Sequence, residues 1–396
     1  MKRILIFLLL LSLAAGAAAE GVSLRTVSCF AGADAAAIAY AELLRAYEEQ
    51  TGNVVEDDSA TSDENWKAQV LNDFAVGNEP DVLFFFACSA DSAPILRRMV
   101  PIAEINAAYP DLHLPESDIL READGAVYAI PARPYYEGLF VNTDLFERYG
   151  LPLPDTWEHL EQAVAGFAAA GIVPIAVSLS DIPHYLAECA VLACAAPGEY
   201  AARPADFDSV PAGWLEGMAL IRRLDEMGAF PADAQNTSEA VTSQLFRDKK
   251  AAMQFDGSWF ANTIPESGMD TTVVMPVPSR CGAGGTVIGG VSMGFYLTRR
   301  AWDDPDRRDA AVQLLAWLAA PENAARLGAE QTSGRLRASA EALVTGADQM
   351  LGPLQDAMNK DAREVWLLEC VPAVAEGRMA PEECWRRVMA LAPFEE

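Results

Sequence analysis

Residues 128–157 read YAIPARPYYEGLFVNTDLFERYGLPLPDTW, and their succession of strand, break, strand and capped helix decides the fold. The turn pair Asp124-Gly125 precedes the apolar segment 127–130, and Pro131 and Pro134 then stop that segment from continuing as a central strand. The chain must leave its sheet there. After Tyr135 and Tyr136 a second apolar run, residues 139–141, leads into a short helix predicted over 143–149, with Gly150 at the left-handed stop position. Leu151-Pro152-Leu153-Pro154 cannot be helical, and Asp155 or Thr156 caps the next helix, with Glu158 at capping-box spacing from Asp155.

Working back toward the N-terminus, residues 26–30 form a short apolar strand. A helix predicted over 34–50 buries Tyr40, Leu43, Leu44 and Tyr47, and Gly52 ends it. Val54 and Val55 begin a second strand, a helix near 64–75 carries Trp66, Val70 and Phe74 at four-residue spacing, and residues 82–86 are apolar without interruption. Strands alternating with helices, the third of them apolar on both faces, imply a parallel sheet covered on each side. Ligands of such sheets lie at the carboxyl ends of the strands, here residues 29–34 and 88–91. Working forward, the same style repeats: a helix over 157–170, a strand over 173–177, helical segments near 215–227 and 238–248, and a strand over 253–255. Pro276, Pro278 and the glycine-rich stretch 282–290 mark a second loose crossing; residues 291–297 return to the first sheet, and an amphipathic helix spans 307–320.

Four segments in order carry a resemblance to a known family. Gly77 to Val82 fits Gly-x-x-Pro-Asp-Val; YAIP and LFVNTDLFERYGLPLPDTW fit the crossover just described; FRDKKAAMQFDGSW, residues 246–259, fits a segment ending in Gly-Ser-Trp, with Asp248 and Lys249 where Gly-Lys is usual. Together they resemble the extracellular solute-binding proteins of ABC importers, typified by sugar and oligosaccharide binders, and the resemblance runs over most of the mature chain. It implies two α/β lobes, each a mostly parallel sheet flanked by helices, joined by two or three hinge crossings around a ligand cleft. The expected division is a signal peptide over 1–19, a first lobe of 20–131 plus 285–325, and a second lobe of 132–284 plus 326–396.

Composition bounds the same question. A basic start at Lys2 and Arg3, an apolar run over 4–13 and Ala17-Ala18-Ala19 form the layout of a cleaved secretory signal. The run is too short for a membrane span, and no later stretch reaches the ~18 apolar residues one requires. No cysteine stands at the cleavage site, so a soluble, periplasmic or secreted protein without a lipid anchor is expected. The net charge of −28 disfavours nucleic acid and anionic lipid as partners. The seven cysteines are an odd number for an exported chain; Cys88 and Cys194 read as small core residues, no structural disulfide is expected, and Cys370 with Cys384 is the pair that would make the exception.

The candidate ligand-binding residues are Phe30, Asp34, Ser89 and Asp91 at first-lobe strand ends, Trp66, Tyr135, Tyr136, Glu137, His184, Trp259, Gly290 and Arg335. Adjacent tyrosines have three readings: contact with a sugar's C–H face, ligation of ferric ion with Glu137 and His184 recruited, or hinge packing. Trp259, where the resemblance implies a cleft tryptophan, is otherwise a core indole, and Trp66, with Val70 and Phe74, reads first as core. Gly290 reads as hinge and cleft backbone. Arg335 follows Thr332-Ser333-Gly334, with Arg337 close to where the family's proline is expected. Gly290-Val291-Ser292-Met293-Gly294 matches a nucleophile elbow, but the three histidines all precede Ser292 where that chemistry needs one after it. No catalysis and no cofactor are expected. The reading is a monomeric receptor for a carbohydrate-like solute, partnered by an importer permease; the alternatives are a ferric-ion or polyamine-type receptor on the same fold and, behind them, a secreted glycosidase.

Overall fold

The computed structural model describes residues 21–394 apart from 33, 63, 90–91, 282–283 and 329–331. The expected signal peptide over 1–19 and the candidate Asp91 lie outside the described residues. Two sheets organise the chain. The first has five strands in the order β2 (Val54–Asp57), β1 (Ser23–Val27), β3 (Val82–Phe86), β10 (Met293–Leu297) and β4 (Ala129–Pro131). The second runs β11 (Gln349–Leu351), β9 (Thr286–Gly290), β5 (Tyr135–Asn142), β7 (Ala251–Gly257) and β6 (Val173–Ala176), with β8 (Thr272–Met275) also on β5.

Both sheets are parallel except for one strand each, and in both the exception is the strand that arrives from the other lobe. β10 is antiparallel to β3 and β4, and β5 is antiparallel to β7, β8 and β9. The two crossings, 132–134 and 291–292, therefore run side by side, tied at one end where Pro131 pairs with Gly294 and at the other where Tyr135 pairs with Gly290. A Cβ on Gly289 would stand 2.6 Å from the Tyr135 carbonyl oxygen, so the close approach of the strands requires glycine there. Arg133, inside the first crossing, adopts φ +63°, a conformation uncommon for a side chain of its size.

The return to the first lobe thus begins at 291, not 285: β9 belongs to the second sheet because its backbone pairs with β5 and β11. The loop before it is not a crossing, since Arg280 N–H donates to the Ala193 carbonyl within the second lobe. The third passage also falls later than 325. Leu327, at the end of helix Pro321–Leu327, packs in the first core, and Leu336, in helix Gly334–Thr345, packs in the second lobe.

Local signals explain the helices. Ala37–Thr51 buries Tyr40, Leu43, Leu44 and Tyr47 and ends at Gly52 with φ 77°. Thr143–Tyr149 ends at Gly150 with φ 65°. Thr156 caps Trp157–Ala169 by accepting from His159 N–H at 3.2 Å; Asp155 instead holds the His159 ring at 2.6 Å, so no capping box forms with Glu158. The second core is closed by the C-terminal helices: Trp366, Cys370, Trp385 and Val388 pack with Trp214 and Met218.

All seven cysteines are free thiols. Cys194 is buried, but Cys88 is exposed, because β3 ends at Phe86 and the chain turns out at Cys88 with φ 55°. Cys370 and Cys384 are buried neighbours, with the Cys370 sulfur 4.0 Å from the Cys384 carbonyl oxygen. Among the described residues no helix is long and apolar enough to cross a membrane.

A candidate solute site at the lobe junction

The sequence Asp256-Gly257-Ser258-Trp259 ends β7 and starts the short helix Ser258–Ala261. A Cβ on Gly257 would lie 2.1 Å from the Trp259 ring, so only glycine lets the indole fold back over the strand end. Trp259 is 36% exposed, the most accessible tryptophan of the site region, and its ring neighbours Tyr135 and Tyr185, with ring centroids 5.9 and 5.6 Å away. The outer side meets a crevice lined by Ala35 and Ala36 of the first lobe, Arg133 and Pro134 of the crossing, Ser258 and Asn262 of the second lobe, and Gly328. Trp259 is thus an aromatic platform at the point where both lobes and the hinge meet.

Across the crevice Asp34 is already engaged. Its Oδ2 accepts from Arg133 Nη1 at 2.7 Å and its Oδ1 from Ala36 N–H at 2.8 Å, so it fastens the start of a helix to the crossing. Phe30 is 2% exposed, packs on Tyr40, Phe84 and Phe295, and has the Arg133 guanidinium over its ring. Trp66 is 4% exposed against Phe85. Phe30 and Trp66 therefore sit in the first-lobe core; the platform is built without them. Ser89 closes a local turn with Ser92.

The tyrosines separate. Successive residues of a strand face opposite ways: Tyr135 turns to Trp259, whereas Tyr136 joins Phe140, Phe246 and Phe260 in an apolar cluster on the other face. They cannot converge on one ion, and among the described residues no group of three or more His, Cys, Asp or Glu is placed to hold a metal. Arg335 lies at the far end of β5, donating to Thr143 at 3.3 Å and 3.9 Å from Glu147. Gly290, with φ 131°, pairs with Tyr135 and so shapes the hinge side.

The start of helix His184–Cys194 brings His184 and Tyr185 to the same region. His184 is pushed down to about 3, first by desolvation and then by the cations Lys67 and Arg363, so it is neutral at ordinary pH. Lys67 belongs to the first lobe and lies 4.6 Å above the Phe86 ring, which makes it a cross-cleft neighbour of His184. Sequence reading passed over Lys67, Tyr185, Asp256 and Arg133, although Lys67 and Tyr185 each adjoin a residue it named.

Beneath the aromatic rings lie buried acids. Glu137 is 3% exposed, its Oε2 has no hydrogen-bond partner, and it is raised well above the usual carboxylate range, by burial first and then by Glu188, Asp356 and Asp256. Glu188 is raised to about 7 by burial, partly offset by the Tyr200 hydroxyl and the Gln355 and Leu354 N–H groups. A carboxyl that holds its proton in the folded state but loses it when unfolded makes the fold more stable at low pH, and that advantage disappears as pH rises above the unfolded value of 4.5 toward the folded one. Glu137→Gln, which mimics the protonated form, is expected to melt a few degrees above the parent at about pH 8 and to flatten the fall in melting temperature between about pH 5 and pH 8. Differential scanning calorimetry at both values checks this, and an unchanged slope would refute it.

The comparisons with known proteins bear on what this junction is. The family model for bacterial extracellular solute-binding proteins matches residues 42–347. The chain belongs to that family. No curated protein is similar enough to the sequence to count as a match. Among solved structures, a chitin oligosaccharide binding protein superposes with a TM-score of 0.82 at 18% identity, covering 94% of this chain and 98% of its own. The solute receptor AcbH, described as having an exclusive preference for β-D-galactopyranose, gives 0.76 at 16%, covering 95% and 98%. Maltose-bound MalE3 of T. maritima gives 0.72 at 14%, covering 94% and 99%. At these identities the likeness is one of fold: this solute-binding chain has the same two-lobed α/β architecture as they do.

Proposed function

We propose that this solute-binding protein is a carbohydrate receptor: it closes its lobes on a sugar or oligosaccharide outside the cytoplasm and presents the closed form to the permease of an ABC importer. The observation that carries the reading is the Trp259 platform at the lobe junction. A partly exposed indole beside Tyr135 and Tyr185 offers the C–H face of a pyranose apolar contact area. The solved structures of like fold named for chitin oligosaccharide, galactopyranose, raffinose and maltose support the same class. The protein acts as a monomer without lipid anchor or cofactor, and it returns its ligand chemically unchanged.

The separation of Tyr135 from Tyr136 counts against a ferric-ion receptor. Closure pivots on the paired crossings 132–134 and 291–292. Small-angle scattering is expected to show a smaller radius of gyration with saturating sugar, and mass spectrometry of the released sugar its original mass. A cleaved sugar would make the protein a glycosidase, and an unchanged radius at saturation would overturn closure.

A further inference from the structure

Pro372 lies inside the helical run 360–375, and a proline has no N–H to give to the carbonyl four residues back, here that of Leu368. The run widens in response: Val365–Cys370 form a turn of π-helix between the α-helical pieces Lys360–Glu364 and Val371–Ala375. Cys370 is the last residue of that turn. Gly377, with φ 70°, follows the run, and helix Pro381–Met389, which carries Cys384, packs back against the widened turn.

The packing brings two thiols into contact. Cys370 and Cys384 are both fully buried in the second-lobe core, among the same residues as Trp366 and Trp385. The Cys370 sulfur lies 4.0 Å from the Cys384 carbonyl oxygen, and the two thiols hydrogen-bond each other.

We propose that Cys370 and Cys384 are joined as a disulfide when the chain is exported, and that the bond staples helix Pro381–Met389 to the π-turn and so fastens the end of the chain to the second lobe. The chain belongs to an extracellular family, and compartments outside the cytoplasm oxidise thiol pairs that folding brings together. The two residues are 14 positions apart, so the loop between them closes easily and the bond still restricts the unfolded chain.

The oxidant is a disulfide-bearing thiol oxidant of that compartment. One cysteine thiolate attacks a sulfur of the oxidant's disulfide, forming a mixed disulfide and expelling one oxidant thiolate, which takes up the proton the cysteine gave up. The second cysteine thiolate attacks the protein sulfur of the mixed disulfide and expels the other oxidant thiolate, which is protonated in turn. The pair thereby loses two electrons and two protons, and the oxidant gains them. Because both residues are fully buried, exchange precedes the docking of the last helix, and the packed core then shields the bond from reductants.

The test is peptide mapping of the chain collected after export. Free thiols are alkylated in denaturant without reductant, and the protein is cut with trypsin. Residues 364–378 and 379–386 are expected to travel as one linked species that separates on reduction. Alkylation of both Cys370 and Cys384, or linkage of either to another cysteine, overturns the proposal. The staple is read by thermal unfolding. Protein reduced in denaturant and refolded with reductant is expected to melt roughly 5 °C or more below the same protein cycled without reductant. The double variant Cys370→Ala/Cys384→Ala, which keeps the other five of the seven cysteines, is expected to melt alike under both treatments. Equal melting of the reduced and oxidised parent refutes the staple, and so does a reductant effect that persists in the double variant.

Discussion

Trp259→Ala is expected to weaken sugar binding about thirtyfold while leaving the fold intact. The indole is 36% exposed, lies over Gly257, has Tyr135 and Tyr185 beside it and borders the junction crevice, so part of its surface is open to a ligand. Removing a central aromatic anchor of this kind costs on the order of 2 kcal/mol of binding energy, which is the thirtyfold. Its removal opens no closed cavity, because the crevice already reaches it, and the melting temperature should move by a few degrees at most. Calorimetric titration and thermal unfolding of the same preparation check both halves. Unchanged affinity with a large loss of stability would make Trp259 a structural indole and remove the site.

Trp385→Ala is expected to do the opposite. Its ring is fully buried, 4.8 Å from Trp214 and 5.3 Å from Trp366, and its indole N–H donates to the Trp214 carbonyl at 3.0 Å. Truncating a tryptophan in such packing typically costs about 3–5 kcal/mol, enough to lower melting by roughly 10 °C in a lobe of this size. The residue lies beyond position 347, where the family match ends, so the experiment also measures how far the C-terminal helices hold the second lobe together. A stability loss under about 1 kcal/mol would mean that they are an appendage and not part of its core. Sugar affinity, measured below the transition, should change little.

These two tryptophans also illustrate how far the sequence could be read. Periodicity and caps are local, and where they acted alone the reading holds: the buried set Tyr40, Leu43, Leu44 and Tyr47, the stops at Gly52 and Gly150, and the helix Thr143–Tyr149 all stand. The departure from the sheet after Pro131 was legible for the same reason, since proline cannot continue a central strand. What was not legible depends on pairing between distant segments. Residues 286–290 read as the beginning of the return, but their partners are Tyr135, Tyr136 and Gln349 to Leu351, and only those contacts place β9 in the second sheet. Likewise nothing local distinguishes the Tyr135 face of β5 from the Tyr136 face; the platform on one side and the Phe140 cluster on the other do. Phe30 and Asp34 were rightly placed at a strand end, yet strand-end position does not show that Tyr40 and Phe84 cover the ring or that Arg133 occupies the carboxylate.

The central claim, that a carbohydrate is the solute held at the Trp259 junction, is tested most directly by thermal unfolding of the mature protein across a panel of mono- and oligosaccharides with and without free amines, polyamines, ferric ion and glycerophosphodiesters. A ligand that binds only the folded state must raise the melting temperature in step with its concentration. The account predicts that one or more carbohydrates do so in the parent and that Trp259→Ala largely loses the response. A rise with ferric ion or a polyamine and with no carbohydrate would contradict it.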